Sequence, residues 1–195
     1  MQLGVPFILA SGSPRRKHLL QQTGFEFTVL PADLDEKTLP GESVNEMVSR
    51  LAAEKASCVS DLHPDALVLG SDTTVEVDGT VLGKPTSKQE AIEMLCRLSG
   101  RVHKVHTGIA LAHGVSKRLV TTVETTSVEF DEINSTEITR YVETGSPMDK
   151  AGSYGIQDEG AFFVKGIRGD FYTVMGLPLH RLYRLLRSDF DDLIA

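Results

Sequence analysis

The chain has 195 residues, 41% of them hydrophobic and 24% charged, which is enough apolar material for a real core and too much for a disordered segment. Its formal charge of −7 argues against sequence-independent binding to nucleic acid or to an anionic membrane, although a small anion needs only a local cluster of cations. Two cysteines, Cys58 and Cys96, make neither a disulfide framework nor a metal motif, and no apolar run nears the ~20 residues of a membrane span.

In chain order, "PFILA" (6–10) reads as a short buried strand stopped by "SGS". Ser13 offers an N-cap and Pro14 suits the first helical position, which predicts a helix from Pro14 to about Thr23, ended by Gly24. "FEFTVL" reads as the next strand, followed by the loop "PADLDEKTLPGE". Ser43 and Glu46 form a capping-box pattern, and Val44, Met47, Val48, Leu51, Ala52 and Lys55 follow at helical spacing to about residue 60. "ALVLGSD" (66–72) is a buried strand ending on an aspartate, and "VEVDGTVL" (75–82) is a hairpin turning at Asp-Gly.

Ser87 and Glu90 repeat the capping box before a helix carrying Ala91, Met94, Leu95 and Leu98 and ending at Gly100. Residues 102–130, rich in Val and Thr, predict two long strands around the turn "AHGVSK". A helix near 135–144 carries Ile138, Tyr141 and Val142, and Gly145 closes it. "GAFFVKGIRGDFYTVMG" reads as another hairpin. Pro178 opens a last helix, and the acidic end "SDFDDLIA" is expected to be loosely held. The sum is a mixed α/β fold with one extended, twisted sheet flanked by helices. The start "MQLGVPFILASGSPRR" has no basic segment followed by a long apolar one, so no leader is read there and a cytoplasmic location is expected.

Arg15 and Arg16 stand where a helix already carries about half a positive charge, so propensity alone would prefer acids there. An anion at that end resolves the conflict. Backbone N–H groups of residues 11–16, the Ser11 and Ser13 hydroxyls and two guanidinium forks would then face phosphate oxygens. Solvated arginines paired with nearby acids are the alternative. Asp72 ends an apolar strand, where α/β proteins place ligands, and its carboxylate can hold Mg²⁺ or take a proton from water, or serve only as an Asx-turn or cap. Glu36, beside Asp35, is a loop carboxylate that solvent alone could explain. Lys55 falls on the apolar stripe of its helix, where a charge either snorkels or has a partner.

"GTVLGKPT" around Lys84 is not a phosphate loop. Three residues separate Gly79 from Gly83 where the motif needs four, Pro85 replaces the hydroxyl, and the stretch follows a hairpin. His103 and His106, three apart on a strand, point to opposite faces and cannot chelate one metal, and His18, His63, His113 and His180 are scattered.

Together, "LASGSPRRKHLL", "RLAAEKA", "VLGSDTTVEVDGTVLGKP", "LSGRVHKVHTGIAL" and "DKAGSYGIQDEGAFFVKGIRGDFYTVMGLPL" resemble the Maf family of nucleotide pyrophosphatases over about residues 6–187. The resemblance implies one Maf-like domain over 1–195, similar to the ITPase fold, with an elongated sheet and two lobes around a central cleft. It implies hydrolysis of a nucleoside triphosphate to monophosphate and pyrophosphate with a divalent cation, Mg²⁺ or Mn²⁺. By the same resemblance Asp72 is the proton acceptor, and Ser11, Arg16, Glu36, Lys55 and Lys84 line the phosphate and metal region, with Glu36 and Asp72 on the metal.

Arg15, Thr73 and Gln157 match the arginine, threonine and glutamine of the branch similar to dTTP/UTP pyrophosphatases, not the tryptophan, glutamine and glutamate of the 7-methylguanosine triphosphate branch. Gln157 offers an amide donor and acceptor suited to the O4/N3 edge of uracil or thymine, which leaves Arg16 for phosphate and Arg15 for the base or sugar. Family members often carry glutamate where Gly83 stands, a departure that keeps Lys84. Arg15, Arg16, Lys55 and Lys84 could offset a triphosphate, since each cation 4 Å away attracts by about 4 kcal/mol at an effective dielectric near 20. The family is often dimeric, which leaves a homodimer open; no nucleic-acid or membrane partner is expected. A non-catalytic nucleotide-binding regulator of cell division is the alternative reading.

Overall fold

The computed structural model describes residues 2–195. Strand β1 (Phe7–Leu9) is buried along its whole length and pairs in parallel with β2 (Thr28–Val29) and with β3 (Leu67–Val77). β3 turns back antiparallel into β4 (Thr80–Leu82) through Asp78 and Gly79, both at positive φ (50° and 73°), which is the backbone an Asp-Gly hairpin turn requires. The sheet is completed by β5 (Val102–His113), β6 (Arg118–Phe130) and β7 (Val164–Arg168), the last antiparallel to β6. The order is β2-β1-β3-β5-β6-β7, with β4 added on β3, so the sheet is mixed as expected.

The helices follow their sequence signals. α1 (Pro14–Gln22) starts with proline at its first turn, and Gly24 follows at φ 75°. α2 (Val44–Ser60) has both halves of its capping box: Glu46 N–H donates to Ser43 Oγ at 3.3 Å, and Ser43 N–H donates to Glu46 Oε2 at 2.8 Å. α3 (Lys88–Leu98) has only one half, because the Glu90 carboxylate accepts from Thr86 N–H and Oγ1 (2.7 and 2.6 Å) in place of Ser87. α4 (Ser135–Glu143) is capped reciprocally by Asn134 and Glu137.

Three expectations are corrected. The strand read from "FEFTVL" shrinks to two residues, since β1 offers only three residues to pair with. The segment read as a late hairpin is a 3-10 turn (Glu159–Phe163), then β7, then the short helix α5 (Phe171–Met175). Gly169, at φ 131°, breaks the strand, and the Asp170 carboxylate accepts from Thr173 N–H (2.7 Å) and Oγ1 (2.8 Å), starting the helix. The acidic C-terminus is not loose. After α6 (Leu179–Asp189), Leu3 bridges Ile194, Ala195 N–H donates to Gln2 O at 3.0 Å, and Arg118 clamps Asp192 at 2.6 and 2.8 Å.

The chain forms two compact units. The first comprises residues up to 72, 107–124 and 176–195. Its core joins Ile8, Ala10 and Val68 of the sheet to Ala52, Ala56 and Val59 of α2. Two glycines let that helix lie directly on the strands. A Cβ at Gly70 would meet Ala52 O at 2.2 Å and Ala56 N at 2.8 Å, and one at Gly108 would meet Val48 O at 2.2 Å. The second unit comprises residues 73–106 and 125–175, and its core packs Ala91, Leu95 and Leu98 of α3 and Ile138, Tyr141 and Val142 of α4 with Val75, Val105 and Phe130. Among the described residues no helix is long and apolar enough to cross a membrane.

Candidate active site

The close approach of α2 at Gly70 decides what faces Asp72, two residues further along the same face of β3. Lys55, one turn beyond Leu51 and Ala52, reaches the strand with its Nζ 2.7 Å from Asp72 Oδ1 and 2.8 Å from Glu36 Oε1. Lys55 is 7% exposed and Asp72 8%, so the lysine on the apolar stripe is not snorkelling; it has partners. The two carboxylates meet on one ammonium, and Glu36, nearly half exposed, forms the watery side of the cluster. Lys55 Nζ donates to Oδ1 of Asp72 at 2.7 Å.

Arg16 enters from the start of α1. Its Nε donates to Gly176 O at 2.8 Å and its Nη1 to Ser11 Oγ at 3.1 Å, and Ser71 Oγ donates to the same Gly176 carbonyl at 2.9 Å. Burial pulls the Arg16 guanidinium below its ordinary value, the like charge of Arg15 adds to that, and the carboxylates of Asp72 and Glu36 oppose it. Arg16 therefore feels the same two carboxylates that Lys55 binds. Ser13 occupies the N-cap position with extended backbone, and its side chain makes no cap hydrogen bond.

Ser11, Arg16, Glu36, Lys55 and Asp72 are thus gathered within the first unit, and Arg15 lies half-buried beside Arg16. Thr73, Lys84 and Gln157 belong to the second unit. Thr73 follows Asp72 on β3 and is half-buried; Lys84 is exposed on the loop after β4, where Gly152 N–H donates to Gly83 O at 3.0 Å; Gln157 is exposed on the 155–160 loop. Ser71 and Gly176 were not singled out from sequence. Nothing local marks them, because the bonds that bring them to Arg16 span 105 and 160 residues.

The donor set suits a hard divalent cation. Mg²⁺ commonly takes one or two protein carboxylates and completes its shell with water and substrate phosphates, and Asp72 and Glu36 already point oxygens at one cationic position. No cluster of three or more His, Cys, Asp or Glu exists among the described residues. The histidines fall elsewhere: His103 Nε2 lies 2.8 Å from Tyr154 Oη, and His106 sits between Glu76 (3.0 Å) and Thr125 (3.0 Å).

The sequence is similar to that of known proteins along nearly its whole length. Curated relatives bear the name dTTP/UTP pyrophosphatase, and three of them show the extent of the similarity. That of Symbiobacterium thermophilum is 52% identical over 179 residues, 92% of this chain and 91% of the relative. That of Halalkalibacterium halodurans is 49% identical over 182 residues, 93% and 95%. That of Salinibacter ruber is 48% identical over 195 residues, 100% and 96%. Among solved structures, the Staphylococcus aureus Ham1 protein matches distantly, with a TM-score of 0.46 and 16% identity over 64% of this chain and 71% of that one, too slight a likeness to carry weight. The family model described as Maf-like protein matches residues 6–189, and with relatives of about half identity along nearly the whole length, the chain belongs to the Maf family.

Proposed function

We propose that this protein is a cytoplasmic nucleoside triphosphate pyrophosphatase that hydrolyses dTTP and UTP to the monophosphate and pyrophosphate. The observation that carries the reading is the Lys55 ammonium held between Asp72 and Glu36, with the Arg16 guanidinium under the influence of both carboxylates. The names of the relatives supply the nucleotide, and Arg15, Thr73 and Gln157 match the branch that acts on thymine and uracil nucleotides.

In this scheme Arg16, Lys55 and Lys84 bind the polyphosphate, and the Ser11 hydroxyl fixes the Arg16 fork through the bond it already accepts. The Asp72 carboxylate takes a proton from a water whose oxygen attacks the α-phosphorus. The bond from that phosphorus to the α,β-bridging oxygen breaks, and pyrophosphate leaves with the bonding electrons. Lys55 holds Oδ1 and so fixes the plane of the carboxylate during the transfer. Glu36 and Asp72 would hold Mg²⁺ or Mn²⁺, which when bound supplies charge stabilisation at the phosphoryl oxygens. Gln157 and Arg15 read the base and sugar. The family is often dimeric, which leaves a homodimer open.

A pyrophosphate-release screen across canonical and modified triphosphates tests the proposal. dTTP and UTP, or modified pyrimidine nucleotides, should lead in kcat/KM, and Asp72→Asn should remove turnover while the protein stays folded. A preference for 7-methylguanosine triphosphate or ITP overturns the substrate, and wild-type turnover by Asp72→Asn overturns the mechanism.

A further inference from the structure

The second unit holds a buried polar cluster that the chemistry above does not use. Tyr141, on α4, is 2% exposed; its Oη donates to Asp158 Oδ1 at 2.7 Å and accepts from Gly155 N–H at 3.0 Å. Asp158 Oδ1 also accepts from Gly160 N–H at 2.9 Å, while Oδ2 accepts from Ser146 Oγ at 2.6 Å and faces Lys150 Nζ at 3.4 Å. One phenol and one carboxylate thereby tie residues 155, 158 and 160 together, with Gln157 exposed between the tied points.

The glycines of the loop are those the arrangement needs. A Cβ at Gly155 would lie 2.4 Å from Asp158 Oδ2, and one at Gly160 would lie 2.7 Å from Gly155 O and 2.9 Å from Tyr141 Oη. Burial drives the Tyr141 hydroxyl well above its ordinary pKa, so it remains a donor at any working pH. Burial alone would raise Asp158, but donors from Ser146, Gly160 and Tyr141 outweigh it and hold the carboxyl below its ordinary value. The loop is pinned by a charged acceptor whose hydrogen bonds are made before any ligand arrives.

We propose that Tyr141, acting through Asp158, is the positioning residue for base recognition: it presets the 155–160 loop so that Gln157 meets the pyrimidine edge without an ordering cost on binding. This rests on the reading of Gln157 as the base-reading residue. Tyr141 touches neither substrate nor reacting atoms in this scheme. Its loss moves the cost of ordering the loop to the moment of binding, which is felt by ligands carrying a base and not by pyrophosphate.

The test is Tyr141→Phe, which keeps the ring and removes Oη, with Asp158→Asn as a second variant that disturbs the same anchor and Gln157→Ala as the reference. KM and kcat for UTP are measured, with product inhibition by UMP and by pyrophosphate. Expected for Tyr141→Phe and Asp158→Asn are a rise of about tenfold in the UTP KM and in the UMP inhibition constant, the loss of one or two hydrogen bonds. kcat should stay within about twofold and the pyrophosphate inhibition constant should not move. If Gln157→Ala weakens UMP but both anchor variants bind it as wild type does, the positioning role is wrong. If Gln157→Ala itself leaves UMP affinity unchanged, the underlying reading of Gln157 fails instead. A parallel weakening of UMP and pyrophosphate in a folded anchor variant also overturns the proposal, since it marks a general structural loss. Should Tyr141→Phe not fold, Asp158→Asn decides.

Discussion

Replacing Lys55 by methionine keeps an unbranched side chain one atom shorter and removes the charge that two carboxylates share. The Asp72 and Glu36 oxygens lie 2.7 and 2.8 Å from one nitrogen, hence within about 5.5 Å of each other. At an effective dielectric near 20 their repulsion without Lys55 is about 3 kcal/mol. Glu36, nearly half exposed, can turn toward water and relieve part of it; Asp72, 8% exposed, cannot. Breaking a buried pair from one side costs about 3–5 kcal/mol, and solvent access on the Glu36 side favours the lower end. For a chain of this length a loss of about 3 kcal/mol lowers Tm by about 6–12 °C. The assay is thermal melting of wild type and Lys55→Met, with and without Mn²⁺, beside kcat/KM for UTP. The variant should melt earlier by that amount and lose at least about 100-fold in kcat/KM. Mn²⁺ should raise its Tm more than that of the wild type, because the cation can replace the missing ammonium between the carboxylates. A variant that melts with the wild type and turns over normally refutes the argument.

Gly70→Ala should cost about 1–3 kcal/mol or more and reduce activity, because a Cβ 2.2 Å from Ala52 O pushes away the helix that carries Lys55. Gly166→Ala in β7, whose Cβ meets nothing within 4 Å, is the neutral control in the same melting experiment. Acid should destabilise the fold in two windows. Burial lowers the His103 pKa to about 4, so the folded state keeps the ring neutral while the unfolded chain takes up a proton from about 6.5 downward. Stability therefore falls between pH 6.5 and 4, by up to about 3 kcal/mol, and His103→Gln should flatten that slope in urea titrations. Asp158, held below its ordinary value, contributes stability that is lost only as pH drops further, through its lowered pKa. EDTA should stop pyrophosphate release and added Mg²⁺ or Mn²⁺ restore it; turnover unaffected by the chelator removes the metal from the scheme.

What could be read from the sequence was mostly local. Ser43 with Glu46, Asp78 with Gly79 and Pro14 each encode a cap or turn within a few residues, and each stands where expected. Lys55 was visible as a charge on an apolar stripe that either snorkels or is paired, and Asp72 and Glu36 pair it. α5 was hidden because Phe171, Tyr172, Thr173 and Val174 favour strands, whereas the Asp170 cap and the Gly169 break decide for helix. The roles of Ser71 and Gly176 depend on bonds across more than 100 residues, which no local pattern carries. Thr73 and Gln157 were indicated only by family resemblance, whereas Arg15 also stood out as a cation in the first turn of a helix.

In the proposed reaction water attacks the α-phosphorus of a pyrimidine triphosphate. Turnover of UTP in ¹⁸O-labelled water, followed by ³¹P NMR, tests it most directly. UMP and pyrophosphate should form in equal amounts, with the label in UMP. Label in pyrophosphate, or UDP with inorganic phosphate as products, would contradict it.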